Sequence, residues 1–468
     1  MILQRRATGP ALTTASGAAY LARLMPPEAQ TVLHTWCRQT EWNAPTIVGG
    51  AGARLLTADG RSILDMSSLA ECSNLGHQHP GIVAAVRAQA ARLCFVTSAW
   101  GAEPRARLAE LLLEKSGFEG GRVYFTLGGA DANEHAVKFS RQAGRKPHGW
   151  VITRERSYHG ASYGAMALSG DTRTAAQVDP TAHRVVHVPP PYAYRCPFQA
   201  HSDDACGIAA AERISAVIDA HGPQEVAAVL MEPNAGTNGI VAPDTFWPAL
   251  RRATRAQDVY LIADEVMSAF GRCGEWFAWQ RYGEDGRPDL MALAKGLTGA
   301  HLPLGAVVLS AAVARALEPQ TLFTGLTYSG HPLSCAAGVA AIESYEAEDL
   351  ISRSRELGAI MFRRLREMQL GNPLIGDVRG GHGLFAVLEL VRARDSREPL
   401  SPWPELHVEL RRLLGAAMDA GVSFAARGNL ILLAPPLVIG EHDLADALDL
   451  LDRLLGSLAQ AIRTGKQP

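Results

Sequence analysis

The chain has 468 residues, of which 47% are apolar and 20% are charged. This composition is typical of a folded globular protein with a large core and excludes a disordered chain. The 45 Lys and Arg residues nearly balance the 47 Asp and Glu residues. We therefore expect a small-molecule ligand, and neither nucleic acid nor a membrane as the main partner.

Seven cysteines are scattered along the chain without a C-x-x-C pair, which predicts free thiols, no metal site and a reducing compartment. Residues 1–27 contain no acid, but residues 11–22 are too polar for a signal-peptide core, so we expect an N-terminal tail. Residues 320–342 carry no charge but include Gly, Pro and His, which predicts a buried loop and a helix start. The sequence thus predicts a cytoplasmic protein.

Short apolar runs alternate with Ala-rich helical stretches through the first two thirds of the chain. Near the start, Ala53–Thr57 and the turn Asp59-Gly60 predict a hairpin. Six further strands are predicted at 122–126, 150–154, 226–231, 259–263, 290–294 and 304–309, with helices at 131–142 and 246–257. Because these strands are apolar on both faces and widely spaced, we expect an α/β fold with a mostly parallel sheet buried between helices.

The pattern changes near residue 343. Charged amphipathic helices are predicted at 343–370 and 405–420, and strands at 383–390 and 429–434. We therefore expect a large α/β domain at 75–342 and a smaller α+β domain built from both chain ends, 1–74 and 343–468. Ligands of open α/β sheets bind at the C-terminal ends of the strands, so functional residues are expected directly after them.

Lys295 ends the apolar run MALAK, where partial loss of hydration favours a neutral, nucleophilic amine. On its own it also fits a surface lysine. Asp264 and Glu265 follow the apolar run VYLIA, and two carboxylates there need a cationic partner. A protonated pyridine nitrogen would be such a partner. A Mg²⁺ site and a structural ion pair are the alternatives, although no Walker A motif accompanies them.

Two other strand ends carry candidate cofactor residues. The turn at 127–130 (LGGA) opens a helix, whose first backbone N–H groups favour a phosphate. Tyr158 and His159 follow the strand at 150–154, and an aromatic ring there can stack on a flat cofactor. A simple turn and a core aromatic are the respective alternatives. His77 and His79 have no third metal ligand near them in sequence, and we expect turn-forming or hydrogen-bonded histidines.

Taken in chain order, these motifs resemble the class III (ω-type) aminotransferases, which are pyridoxal phosphate (PLP) enzymes of fold type I. The resemblance covers about residues 40–440. Its most specific pieces are LIADEVMSAFGRCGEWFA (261–278), LAKGLTGAHLPLGAV (293–307), GLTYSGHPLSCAAG (325–338) and NLGHQHP (74–80). Four sequence motifs look most like those of the taurine/β-alanine branch: DEVMSAFGR, GTNGI, TYSGHP and DVRGGHGLFAVLELV. The resemblance implies a seven-stranded-type sheet in the large domain.

The resemblance implies PLP as the cofactor and two catalytic residues. Lys295 would form the Schiff base with the cofactor and then move the proton during transfer. Asp264 would pair with the pyridine nitrogen. Val266 would lie against one face of the ring, and Tyr158 against the other. His159 belongs to the same implied cofactor site.

The resemblance also implies a phosphate site shared between two subunits. Gly129 and Ala130 would bind the phosphate from one subunit, and Thr327 would reach it from the partner subunit. A homodimer, or a higher homo-oligomer, is therefore the expected functional unit. Glu232, in MEPNAGTNG, matches a position in the wall of the site.

The substrate pocket departs from one part of the family. Ornithine- and GABA-type members have an arginine just before the A-P-P element, where this chain has Leu432. Arg427 is instead placed like the mobile arginine of ω-amino acid:pyruvate enzymes and would hold a carboxylate or sulfonate, unless it is a solvated loop charge. Ala70 lies near a position that often carries a pocket aromatic, which suggests a roomier pocket. Trp42 and Trp100 would line the pocket or pack structurally.

The resemblance implies ping-pong transfer of the amino group of an ω-amino acid or amine (taurine-, β-alanine- or GABA-like) to pyruvate or 2-oxoglutarate. Alternatives within the fold are an aminomutase, a decarboxylase, a phospho-lyase, or a biosynthetic aminotransferase for a specialised aldehyde or ketone. A catalytically silent binding or scaffold protein is an alternative of a different class.

Overall fold

The computed structural model describes residues 28–179 and 184–464. The N-terminal tail expected from the sequence, residues 1–27, lies outside these ranges. No helix within the described ranges is long and apolar enough to cross a membrane.

The strands follow the apolar and β-branched runs of the sequence. In chain order they are β1 Ile47–Ala51, β2 Arg54–Thr57, β3 Ser62–Asp65, β4 Arg122–Thr126, β5 Trp150–Arg154, β6 Val185–Val188, β7 Val226–Met231, β8 Tyr260–Asp264, β9 Leu290–Leu293, β10 Gly305–Leu309, β11 Ile375–Gly380, β12 Ala386–Ala393, β13 Glu398–Pro399, β14 Val422–Ser423, β15 Ala425–Arg427 and β16 Leu430–Leu433.

The α-helices occupy most of the chain between the strands. In chain order they are α1 Glu28–Thr31, α2 Ser68–Glu71, α3 Pro80–Arg92, α4 Glu103–Ser116, α5 Gly129–Ala143, α6 Tyr163–Leu168, α7 Asp203–His221, α8 Phe246–Ala256, α9 Ala311–Leu317, α10 Pro332–Ala347, α11 Leu350–Gly371, α12 Val408–Asp419 and α13 Glu441–Thr464.

A seven-stranded sheet forms the centre of the molecule, in the order β4-β10-β9-β8-β7-β5-β6. The strands from β9 to β6 pair in parallel, and β10 is antiparallel to both of its neighbours. Neighbouring side chains of β7 enter different apolar clusters, Val229 on one face and Leu230 on the other. Both faces are therefore covered, as expected for a parallel sheet. The prediction of an α/β fold with a mostly parallel sheet is confirmed.

The six strands predicted between residues 122 and 309 are observed within one residue at each end. The predicted helices at 131–142 and 246–257 correspond to α5 and α8, but α5 begins two residues earlier than expected. Its start is set by Gly128, whose backbone is extended with φ −170° and whose N–H is accepted by the Asp131 carboxylate at 2.8 Å. Local side-chain capping thus decides the boundary that periodicity missed.

Two smaller sheets lie beside the large one, with strand orders β1-β2-β3-β14 and β11-β12-β16-β15. The expected hairpin is present as β2 and β3. The parallel pair of β3 and β14, with Leu64 opposite Val422, joins the first part of the chain to the last. The division of the chain into domains at 74/75 and 342/343 stays a prediction.

The segment 320–342 and the helix expected at 343–370 differ from the predictions. Instead of a buried loop, the residues before α10 run over the surface of the chain, where the Phe323 side chain is 92% exposed. They are tied to α5, since Thr324 Oγ1 lies 2.9 Å from His135 Nε2. The helix is split between α10 and α11 because Asp349 has a left-handed backbone with φ 46°, which an α-helix cannot include.

Candidate active site

The C-terminal ends of β4, β5, β7, β8 and β9 meet at one cavity, which holds about 220 Å³ of free space. Parallel strands place their C-terminal ends at the same edge of a sheet, so residues far apart in sequence converge there. Eight of the residues selected from the sequence line this cavity: Gly129, Ala130, Tyr158, His159, Glu232, Asp264, Val266 and Lys295.

Asp264 is the last residue of β8, and its side chain is 3% exposed. Its Oδ2 lies 2.7 Å from His159 Nδ1 and accepts a hydrogen bond from Asn133 Nδ2 at 2.8 Å. Its Oδ1 accepts the backbone N–H of Val266 at 3.0 Å. On the far side of the imidazole, His159 Nε2 lies 3.0 Å from Thr153 Oγ1. These contacts fix the carboxylate in one orientation at the cavity wall.

Glu265 does not share the cavity with Asp264. It is completely buried, and its carboxyl accepts the backbone N–H of Trp279 at 2.9 Å and the hydroxyl of Ser268. Burial raises the pKa of this carboxyl to about 7. Side chains alternate at a strand end, so only the first of the two carboxylates faces the cavity. The second one braces the loop that follows.

The start of α5 gives the cavity an anion-binding end. The first N–H groups of a helix have no intrahelical acceptor, and Gly129 and Ala130, the first two residues of α5, both line the cavity. A Cβ at Gly129 would come within 2.9 Å of Val266 Cγ1. The absence of a side chain therefore leaves room at this helix start.

Tyr158 and Glu232 form part of the remaining wall. Glu232 makes a buried ion pair with Arg154 and accepts the backbone N–H of Tyr158 at 3.4 Å. Burial raises the pKa of Glu232, whereas the charge of Arg154 acts in the opposite direction. The ring of Trp36 lies edge-on to that of Tyr158, with 6.0 Å between their centroids. Neither Arg154 nor Trp36 was identified from the sequence.

Lys295 follows β9 with a left-handed backbone, φ 45°. Its Nζ lies 3.1 Å from Oε2 of Glu71, whose side chain is 2% exposed. The pair connects residues 224 positions apart, so no local pattern pointed to it. The one available signal was an acid in the otherwise uncharged run MSSLAEC. Ala70, the residue that the sequence suggested here, is exposed instead.

Arg427 lies at the end of β15 and is half-buried. Its Nε has no hydrogen-bond partner among the described residues. Burial lowers the pKa of Arg427, and the negative charges of Glu71 and Asp171 counteract this shift, whereas the positive charge of Arg173 adds to it. The charges of Glu71 and Arg427 therefore act on each other, but Arg427 is not among the residues that line the cavity.

Like Arg427, three further residues selected from the sequence are not among those that line the cavity of a single chain. Trp42 stacks on His34, with 3.6 Å between ring centroids. Trp100 is 70% exposed, and Thr327 lies in the exposed segment before α10. His77 and His79 each have a carboxylate partner, Asp65 and Glu348 respectively.

Comparison with known proteins supports a family assignment. The family model for class III aminotransferases matches residues 39–455. The chain is 36% identical to acetylornithine aminotransferase from Streptomyces coelicolor, over 89% of this chain and 92% of that protein. It is 31% identical to putrescine–pyruvate aminotransferase from Pseudomonas aeruginosa, over 90% of this chain and 92% of that protein.

The structure agrees with this assignment. It matches taurine:2-oxoglutarate aminotransferase from Bifidobacterium kashiwanohense, solved with PLP and glutamate, with a TM-score of 0.88 and 35% identity over 93% of this chain and 97% of that one. The cavity fits PLP, because a helix start suits the phosphate, a buried carboxylate suits the ring nitrogen and Lys295 supplies an amine. This chain belongs to the class III aminotransferases, and its cofactor is pyridoxal phosphate.

Proposed function

We propose that this aminotransferase moves the terminal amino group of an ω-amino acid or amine, taurine-, β-alanine- or GABA-like, to pyruvate or 2-oxoglutarate in a ping-pong reaction. The observation that carries the proposal is the state of Arg427, a half-buried guanidinium whose Nε has no partner among the described residues. Such a group suits the carboxylate or sulfonate of a small substrate. Leu432, at the position before A-P-P, is buried in an apolar cluster.

The residues around the cavity would divide the work as follows. When bound, PLP supplies an electron sink for the bond broken at the donor's amine carbon. Lys295 attaches the cofactor and, once released, moves the proton between the two reacting carbons. Asp264 holds the proton on the ring nitrogen, oriented by His159. Gly129 and Ala130 donate backbone N–H groups to the phosphate.

The ring and its surroundings complete this assignment. Tyr158 and Val266 would lie against the two ring faces and exclude water from them. Glu232 would hold the wall near Tyr158 through its ion pair with Arg154. Trp42 and Trp100 are proposed to line the substrate pocket.

We propose a homodimer in which Thr327 of the partner subunit contacts the phosphate. The support is the segment before α10, where Phe323 is 92% and Tyr328 53% exposed on a single chain. Exposed aromatic residues of this kind mark a contact surface. Light scattering should give twice the chain mass, and Phe323→Asp should lower both that mass and the affinity for PLP. A monomer with full PLP affinity would contradict this arrangement.

We also propose a cytoplasmic location, supported by seven unpaired cysteines within the described residues. We expect all seven thiols to be free in protein that is isolated under non-reducing conditions. Quantitative thiol titration measures it, and a disulfide in the native protein would contradict the reducing compartment.

The visible absorption of the holoenzyme tests the proposed reaction. Titration with taurine, β-alanine, GABA, ornithine and butylamine should bleach the PLP band with good donors, and pyruvate or 2-oxoglutarate should restore it. Lys295→Ala should abolish turnover while the protein still folds. Turnover without any oxo acid would favour an aminomutase, decarboxylase or phospho-lyase. A PLP band that no donor bleaches would favour a biosynthetic enzyme with a specialised aldehyde or ketone.

A further inference from the structure

The carboxylate of Glu71 contacts Lys295, a residue that lines the cavity, and the chemistry above does not use it. It is 2% exposed, and its Oε2 lies 3.1 Å from Lys295 Nζ. That contact is the only hydrogen bond of this carboxylate among the described residues. A buried carboxylate is strongly destabilised when it loses its charged partner. Whether Lys295 carries a free ammonium group therefore decides whether the Glu71 charge is paired.

The backbone around Glu71 keeps its side chain from turning towards water. Ser68, Leu69 and Glu71 have left-handed φ angles of 48°, 60° and 54°, which non-glycine residues adopt only where the surroundings hold them. Ser68 Oγ accepts a hydrogen bond from Arg272 Nη2 at 2.9 Å. The Leu69 N–H donates to Asp65 Oδ2 at 2.8 Å. The strained segment is thus anchored to Arg272 and Asp65.

Lys295 neutralises Glu71 only while its amine is free. Once bonded to PLP, the Lys295 nitrogen would no longer be an ammonium group. Glu71 then has no ammonium partner, and the cavity gains negative charge. After the donor nitrogen has passed to the cofactor, Lys295 is a free amine again, takes up a proton and can pair with Glu71.

Arg427 provides the complementary charge. It is half-buried, with an unpartnered Nε, and Glu71 is the carboxylate that acts most strongly on it. With Glu71 unpaired, the charges of Glu71 and Arg427 offset each other. With Glu71 neutralised by Lys295, the positive charge of Arg427 is no longer offset by Glu71. The pocket therefore alternates between two electrostatic states, in step with the two half-reactions.

We propose that Glu71 and Arg427 sort the two substrates by charge, with Glu71 as the specificity-determining residue for the donor. While Lys295 is bonded to PLP, Glu71 holds a positively charged donor end, such as the second ammonium of a diamine. Charge-assisted N–H···O contacts span about 2.7–2.9 Å, so that ammonium can reach one carboxylate oxygen while the reacting nitrogen lies beside the other. Arg427 then holds the oxo acid. This inference rests on the proposed function.

Binding of non-reacting probes to the two loaded forms tests the inference without turnover. The probes are N,N-dimethylbutylamine, a tertiary amine that cannot condense with PLP, and pentanoate. Apo-protein is loaded with PLP or with pyridoxamine phosphate, and calorimetry gives each Kd. We expect the cation to bind about tenfold tighter to the PLP form, the size of one hydrogen bond to a charged group. Pentanoate should show the opposite preference.

The variants separate the role of Glu71 from general effects. Glu71→Gln keeps the shape of the side chain and should remove both preferences. Glu367→Gln removes an exposed acid paired with Arg364 on α11 and should keep them. Equal binding of each probe to the two forms of the wild type would overturn the inference.

Donor kinetics provide the second readout. We expect the wild type to favour 1,4-diaminobutane over butylamine about tenfold in kcat/KM, and Glu71→Gln to bring this ratio to about one. If Glu71→Gln lowered kcat/KM by the same factor for every donor, Glu71 would only position Lys295, and the inference would be overturned. Probe preferences without turnover of any donor would reject the proposed function but support the charge sorting. A protein that takes up neither cofactor form would reject both.

Discussion

Nδ1 of His159 lies 2.7 Å from Oδ2 of Asp264, and both side chains are almost completely buried. The histidine comes from the loop after β5 and the aspartate from the end of β8, two strands that are separated in the sheet only by β7. Asn133 of α5 donates to the same oxygen at 2.8 Å. The Asp264 carboxylate therefore connects β8, the loop after β5 and helix α5. It faces the place where the cofactor ring nitrogen is expected.

Asp264→Asn should test the importance of this negative charge. The amide has nearly the same shape but cannot hold a proton on the ring nitrogen, so we expect kcat to fall roughly 10²–10³-fold. Single-turnover measurements with the best donor provide the rate. Glu265→Gln is the matched control, because that neighbouring carboxyl faces away from the cavity, and its rate should stay near the wild type. Wild-type kcat in Asp264→Asn would contradict the assigned role.

Glu265 should make stability depend on pH. Burial raises its pKa from 4.5 to about 7, so between these values the folded protein binds more protons than the unfolded chain. The free energy of unfolding therefore falls as the pH rises through this window. Glu265→Gln lacks this effect. From pH 5 to pH 8, the difference in the free energy of unfolding between variant and wild type should therefore shift by about 2.5 kcal/mol in favour of the variant. Urea unfolding at both pH values measures it, and a constant difference would refute the prediction.

Gly129→Ala should weaken cofactor binding at the start of α5. The added Cβ would lie 2.9 Å from Val266 Cγ1, so the helix start must shift, and we expect the Kd for PLP to rise at least about tenfold. Titration of apo-protein with PLP measures the change. Gly415→Ala in α12 is the control, because its Cβ meets nothing within 4 Å. That variant should gain about 0.5–1 kcal/mol of stability, and unchanged PLP affinity in Gly129→Ala would argue against the phosphate site.

Arg427→Gln should impair the oxo-acid half-reaction. Loss of a charge-assisted contact to a carboxylate is worth about 1.5–3 kcal/mol, so KM for pyruvate or 2-oxoglutarate should rise about tenfold or more. Steady-state kinetics at saturating donor provide KM. Arg411→Gln removes an exposed arginine of α12 and should leave KM unchanged. If both variants behave alike, Arg427 does not hold the acceptor.

Much of the fold was predictable, because its strands are short apolar runs whose character is local. The runs at 122–126, 150–154 and 226–231 coincide with β4, β5 and β7. The helix boundaries that were predicted wrongly depend on the backbone conformation of single residues, such as the left-handed Asp349 between α10 and α11. The mostly exposed course of residues 321–328 was also missed, because composition does not say against which surface a loop packs.

The sequence by itself determined which strand ends carry the candidate site residues that line the cavity. Lys295, Asp264 and Gly129 each follow an apolar run directly, and the parallel arrangement of such strands brings their ends to one edge. Only the tertiary structure decided which of the adjacent acids Asp264 and Glu265 faces the cavity, and that Glu71 reaches Lys295 from 224 residues away. Local patterns encode strands and their ends, whereas these contacts depend on how distant segments pack against each other and on the backbone angles that packing imposes.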